Sequence, residues 1–151
     1  MAILVWLQDW AAPKPHSPRN AHMTQAVPLS WNNLPGAPDA GIKLAQVSSI
    51  PDGGAHLVTL GEAGTPYKII LLRSGDTVFA YVNRCAHFGV PLAAKLEHLY
   101  YVPHESLRCN VHYAQYRWSD GICVKGDCEG ESLLRIPVVI DGDDVLIAPG
   151  G

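Results

Sequence analysis

The sequence predicts an all-β protein of antiparallel strands, closed as a sandwich or barrel. Three observations carry this. Short β-prone segments recur at a spacing of about ten residues, with turn signals between them. Fourteen glycines and twelve prolines in 151 residues suit a turn-rich chain and disfavour a helical bundle. No strand candidate alternates with a long amphipathic helix, which disfavours a parallel α/β sheet. The length fits one domain, and 48 % hydrophobic residues are enough to build a core.

The first forty residues stand apart. They hold Pro13, Pro15, Pro18, Pro28, Pro35 and Pro38, and only four charged residues, Asp9, Lys14, Arg19 and Asp39. Proline removes a backbone donor and fixes φ, so residues 1–40 are expected as a loosely ordered arm. Met23 is an alternative start within it. The folded domain is expected over residues 41–151.

Ile42–Val47 is the first strand candidate, closed by Ser48, Ser49 and the turn Pro51-Asp52-Gly53-Gly54. His56–Leu60 follows and ends at Gly61. Tyr67–Leu72 is rich in β-prone residues and stops at Ser74-Gly75-Asp76. Thr77–Val82 is next. Ser106-Leu107-Arg108 leads into a later loop. Tyr116–Trp118 and Ile122–Val124 flank Ser119-Asp120-Gly121, a hairpin signal. Leu133–Ile140 and Asp144–Ala148 flank Asp141-Gly142-Asp143, a second one. Helical turns are expected only near Val47–Ile50 and Pro91–Leu99.

Charge and hydropathy exclude several classes of function. A net charge of -3 argues against a nucleic-acid binder, which normally shows a basic patch. No apolar run approaches the roughly 20 residues of a membrane span. Met1–Trp6 is apolar but short and lacks a basic flank, so no signal peptide is read and a cytoplasmic location is expected. Four cysteines are too few for a disulfide-dense secreted scaffold.

Two short motifs carry the chemistry. Cys85-Ala86-His87 follows Val82-Asn83, and Cys109-Asn110-Val111-His112 follows the Ser106-Leu107-Arg108 segment. Each presents one thiol and one imidazole from a loop after a strand. A single structural zinc takes four such ligands, with two to four residues inside each pair. The second pair meets that rule, while the first, with one intervening residue, is tight for two ligands on one ion. A two-iron cluster spreads the ligands along each loop, with the cysteines on one iron and the histidines on the other.

This double motif resembles the Rieske-type [2Fe-2S] ferredoxins, whose pattern is Cys-x-His, a spacer, then Cys-x-x-His. The resemblance runs from about Gly41 to Ala148. It includes Cys85-Ala86-His87-Phe88-Gly89-Val90-Pro91-Leu92, Cys109-Asn110-Val111-His112-Tyr113-Ala114-Gln115-Tyr116, and the Gly130–Val138 segment. It implies a Rieske-type base with a small cluster-binding subdomain near 84–118, and one [2Fe-2S] cluster on Cys85, His87, Cys109 and His112. The chain departs from the family pattern in three places. A long spacer, 21 residues over 88–108, puts extra residues in Leu96–Glu105, Tyr113 replaces a common glycine, and Asp127 replaces a common proline.

The resemblance also bears on redox tuning. High-potential relatives join their ligand loops by a disulfide, at positions that are Val90 and Val111 here. They carry a serine hydroxyl where this chain has Ala114, and a tyrosine that is kept as Tyr116. Fewer donors to cluster sulfur lower the potential. The resemblance is therefore to the low-potential branch, which implies a one-electron carrier, with no catalytic residues of its own, between a flavoprotein reductase and a terminal oxygenase. Phe88, Val90, Pro91 and Tyr113 would ring the exposed histidine edge as a docking patch. Rival readings are the small subunit of an assimilatory reductase such as nitrite reductase, the Rieske part of an oxygenase, and a structural zinc domain. His98 and His104 are expected as exposed loop residues. Cys123 and Cys128, spaced Cys-x4-Cys without a following cysteine, are expected as packed free thiols.

Overall fold

The computed structural model of the protein describes residues 28–62, 64–86, 89–110 and 113–149. Among them the strands are β1 (Lys43–Gln46), β2 (Ala55–Leu60), β3 (Tyr67–Ser74), β4 (Thr77–Val82), β5 (Tyr100–Val102), β6 (Ser106–Arg108), β7 (Gln115–Arg117), β8 (Cys123–Lys125), β9 (Arg135–Ile136), β10 (Val138–Asp141) and β11 (Asp144–Ile147). Every strand pairing is antiparallel. Three sheets result, ordered β1-β11-β10, β2-β3-β4-β9 and β5-β6-β7-β8. The all-β expectation holds. Among the described residues the helical segments are single 3-10 turns at Trp31–Asn33, Val47–Ser49 and Leu96–His98.

The sheet β2-β3-β4-β9 is shared by two cores. Successive side chains on a strand point to opposite faces. On β3, Ile69 and Leu71 pack into one core with Leu44, Ile50, Val145 and Ile147. Ile70 and Leu72 pack into the other with Tyr81, Leu107, Tyr116 and Trp118. All four β3 side chains are fully buried, each contributing about 1.5–3 kcal/mol of burial free energy. This double burial is why the segment reads as an unbroken apolar run rather than an alternating one. On β4, Val78, Ala80 and Val82 join the first core, and Phe79 and Tyr81 face the second. The β3–β4 hairpin pairs Ser74 with Thr77, leaving a two-residue loop whose Gly75 has φ 61°. Such a loop needs positive φ, which glycine adopts without steric cost.

The structure corrects some boundaries. Leu133–Ile140 is two strands in different sheets, since β9 pairs with β4 and β10 with β11. Pro137 lies between them and lacks the N–H that a continuous ladder needs. The hairpin expected at 116–118 and 122–124 forms one residue further out on each side, as β7 and β8. The helical expectation over Pro91–Leu99 reduces to the single turn Leu96–His98. The long spacer holds β5, paired with β6 from Tyr100↔Arg108 to Val102↔Ser106.

Of the expected arm, residues 1–27 lie outside the described residues. Residues 28–40 are described, and Trp31 is buried in the first core. The Tyr67 hydroxyl donates to the Trp31 carbonyl at 2.7 Å. Proline content predicts the lack of a ladder here, but it does not register one large apolar side chain. No helix among the described residues is long and apolar enough to cross a membrane.

Candidate metal centre

Cys85 stands three residues past β4 and Cys109 directly past β6, and the loops that they open close in the same way. The backbone N–H of Cys85 donates to the Val90 carbonyl at 2.7 Å, and that of Cys109 to the Ala114 carbonyl at 2.9 Å. Each bond reaches five residues ahead, so the two loops, 85–90 and 109–114, are closed alike. Both cysteines are buried in the second core, 1 % and 0 % exposed. His87 and His112 fall within these loops in sequence and lie outside the described residues, as do Phe88 and Val111.

Surrounding residues brace the loops. The buried Asn83 follows β4. Its Oδ1 accepts from the N–H groups of Leu92 at 2.8 Å and Ala93 at 3.2 Å, and its Nδ2 donates to the Ala93 carbonyl at 2.7 Å. It thus pins the chain immediately after the first loop. Asn110 donates to the His98 carbonyl at 2.7 Å, tying the second loop to the 96–98 turn. Gly126, φ 117°, lies so close that a Cβ there would stand 3.0 Å from Ala114 Cα. Neither asparagine was singled out in the sequence. The available signal for Asn83 is a polar residue directly after the apolar run Val78–Val82.

Tyr116 on β7 is fully buried. Its hydroxyl lies 3.2 Å from Cys85 Sγ and 3.2 Å from Cys128 Sγ, and accepts from the Ala86 N–H at 3.3 Å. Burial, reinforced by the Cys128 and Cys85 contacts, raises its pKa far above the ordinary tyrosine value, so it stays a protonated donor. Cys123 and Cys128 are buried free thiols, as expected, with their sulfurs 3.0 Å apart. Burial, with the Cys128 hydrogen bond, pushes Cys123 up to about 12, which leaves it an unreactive thiol. Tyr113 is 68 % exposed with φ 57°. It occupies the left-handed conformation, which glycine adopts without steric cost. His98 and His104 are exposed. His104 is nevertheless fastened, with Nδ1 2.8 Å from Ser74 Oγ.

The Rieske [2Fe-2S] domain model matches residues 41–139. The chain belongs to the Rieske [2Fe-2S] domain family. Its cofactor is a [2Fe-2S] cluster. Solved structures agree in fold. The ferredoxin of carbazole 1,9a-dioxygenase from Nocardioides aromaticivorans IC177 is 21 % identical, with 74 % of this chain and 99 % of that one covered and a TM-score of 0.55. The Sphingomonas yanoikuyae B1 ferredoxin is 21 % identical over 72 % of this chain and 97 % of that one, with a TM-score of 0.57. The terminal oxygenase of carbazole 1,9a-dioxygenase from Novosphingobium sp. KA1 is 24 % identical over 74 % of this chain but only 30 % of that one, with a TM-score of 0.60. No curated protein matches the chain.

The described part of this Rieske site suits an iron–sulfur cluster. Two buried sulfurs stand on two similarly closed loops, Leu92 and Leu107 join them in one apolar core, and the Tyr116 hydroxyl is aimed at one sulfur. Iron–sulfur clusters take thiolate ligands and are tuned by donors to sulfur and by exclusion of water.

Proposed function

We propose that the protein is a one-electron carrier whose [2Fe-2S] cluster is held by Cys85, His87, Cys109 and His112, the cysteines on one iron and the histidines on the other. The observation that carries this reading is the matched closure of the two loops, each placing a buried cysteine at its base. The bound cluster supplies one-electron redox chemistry. The chain holds the cysteine sulfurs in a dry core through Leu92, Leu107 and Ala114. Tyr116 donates to Cys85, favouring negative charge on that sulfur. Asn83 and Asn110 fix the loops, which limits reorganisation between redox states.

The electron source in this reading is a flavoprotein reductase and the acceptor a terminal oxygenase. Likeness in fold to the carbazole 1,9a-dioxygenase ferredoxin, over nearly the whole of that chain, supports the oxygenase side. Exposed Pro91 and Tyr113 and half-buried Val90 form the described part of an apolar docking edge. With 17 % charged residues, a net charge of -3 and no membrane-length helix among the described residues, a cytoplasmic carrier is the reading that fits best. The domain organisation proposed is the Rieske domain over 41–151, preceded by residues 1–40.

Metal and sulfide analysis tests this directly. About two irons and two acid-labile sulfides per chain are expected in aerobically purified protein, with visible absorption and a low average g value on reduction. One tightly bound zinc without sulfide would sink the proposal.

A further inference from the structure

We propose that Cys128 and Cys123 are positioning residues that set how strongly the Tyr116 hydroxyl donates to the Cys85 sulfur, and thereby the reduction potential. The inference rests on Cys85 being a cluster ligand. It starts from a line of four contacts, the first three of them buried. Cys85 Sγ to Tyr116 Oη is 3.2 Å, Tyr116 Oη to Cys128 Sγ 3.2 Å, Cys128 Sγ to Cys123 Sγ 3.0 Å, and Cys123 Sγ to the Lys125 carbonyl 3.4 Å. The four side chains are at most 2 % exposed.

The line has four links but only three hydrogens, one each on Tyr116, Cys128 and Cys123. All three can point towards the Lys125 carbonyl, which leaves Cys85 without the hydroxyl. Alternatively Tyr116 donates to Cys85. Its oxygen then accepts from Cys128, as well as from the Ala86 N–H at 3.3 Å, which uses both lone pairs. Cys123 completes this second arrangement by turning its hydrogen from the Lys125 carbonyl to Cys128, which reverses the Cys128-to-Cys123 donation of the structure.

The charge on a ligating sulfur decides between the two arrangements. A hydrogen bond to an ionised acceptor is roughly twice as strong as a neutral one, and thiol sulfur is a weak acceptor. Tyr116 therefore points at Cys85, and Cys128 donates to Tyr116. A hydroxyl whose oxygen accepts two bonds is polarised and donates more strongly. The thiol pair thus strengthens the donor to Cys85, an effect that grows as reduction adds negative charge to the centre.

Midpoint potentials of four proteins test this: Cys128→Ala, Cys128→Ser, Tyr116→Phe and the Tyr116→Phe/Cys128→Ala double variant. Iron loading and the visible spectrum are checked first. Cys128→Ala is expected to lower the potential by less than Tyr116→Phe does, and Cys128→Ser to hold it at or above the parent value. In the Tyr116→Phe background, Cys128→Ala is expected to add nothing, because its effect passes through the hydroxyl. A parent-like potential in Cys128→Ala, or the same fall with and without Tyr116, overturns the proposal. An unmoved potential in Tyr116→Phe also overturns it, whereas a fully loaded Cys85→Ala variant would remove the ligation on which it rests. Should Cys128→Ala fail to load iron, Cys128→Ser and Cys123→Ala decide. Cys123→Ala, one link further away, is expected to lower the potential only slightly, and a fall as large as that of Tyr116→Phe, or a drop in Cys128→Ser, refutes the relay.

Discussion

The Tyr81 hydroxyl on β4 donates to the Trp118 carbonyl just past β7, at 2.5 Å. Tyr81 is fully buried and Trp118 nearly so. The bond joins the sheet that feeds Cys85 to the end of the sheet that carries Tyr116. Two elements 37 residues apart in sequence are thereby held in one relation.

Burial pushes both Tyr81 and Tyr67 up to about 12 from the ordinary value of 10.0. The unfolded chain loses these protons first as pH rises. Stability is therefore whole below pH 10 and falls between about 10 and 12, by about 1.4 kcal/mol per pH unit for each tyrosine. Denaturation midpoints across that range should fall steeply, and less steeply in Tyr81→Phe. At neutral pH that variant is expected to lose about 1–3 kcal/mol, because the buried Trp118 carbonyl loses its donor. A pH dependence identical to the parent protein's would refute the assignment to Tyr81.

Trp31 separates two kinds of N-terminal change. A chain starting at Met23 keeps the Trp31 side chain and its contacts with the first core. It should melt and load iron as the full chain does. Trp31→Ala in the full chain should cost about 3 kcal/mol, as expected for an emptied buried aromatic site. Thermal melts of the two proteins side by side check this, and a destabilised Met23 chain would show that residues 1–22 contribute to the fold.

Replacing His87 or His112 by Cys tests ligation. Thiolate is anionic where imidazole is neutral, so a loaded variant should show a lower potential than the parent. Redox titration monitored in the visible provides the measurement. A fully loaded variant with unchanged potential would mean that the histidine is not a ligand.

The parent potential itself is expected in the lower part of the Rieske span, on the order of -150 to 0 mV. Val90 and Val111 exclude a disulfide between the loops at those positions. Ala114, buried at the closing bond of the second loop, lacks a hydroxyl. Ala114→Ser should raise the potential by adding a donor near the centre. The close approach of Gly126 to Ala114 demands that loading be confirmed in the same sample. A parent midpoint near the top of the span would contradict a ferredoxin of the low-potential branch.

Much of the architecture was legible in the sequence. The hairpin at Gly75-Asp76, the strand Thr77–Val82 and the 3-10 turn after Gln46 depend on local turn chemistry and β propensity, which neighbouring residues display. The split at Pro137 was less legible. An apolar run on both sides of one proline looks like a single strand until its partners are known. β5 is short, and although Tyr100-Tyr101-Val102 is β-prone, three residues inside a long spacer show a strand only through their pairing with β6.

The sequence by itself determined the all-β class, the family and the two motifs around Cys85 and Cys109, because ligand spacing and turn residues are local properties. Only the tertiary structure decided what surrounds them. Cys128 reaches Tyr116 from 12 residues away, Tyr116 reaches Cys85 from 31, and Tyr67 reaches Trp31 from 36. The two faces of β3 are likewise sorted into different cores only when other sheets cover them. A strand's side chains alternate whatever covers them, whereas their neighbours depend on which sheets pack there, and that choice belongs to the whole chain.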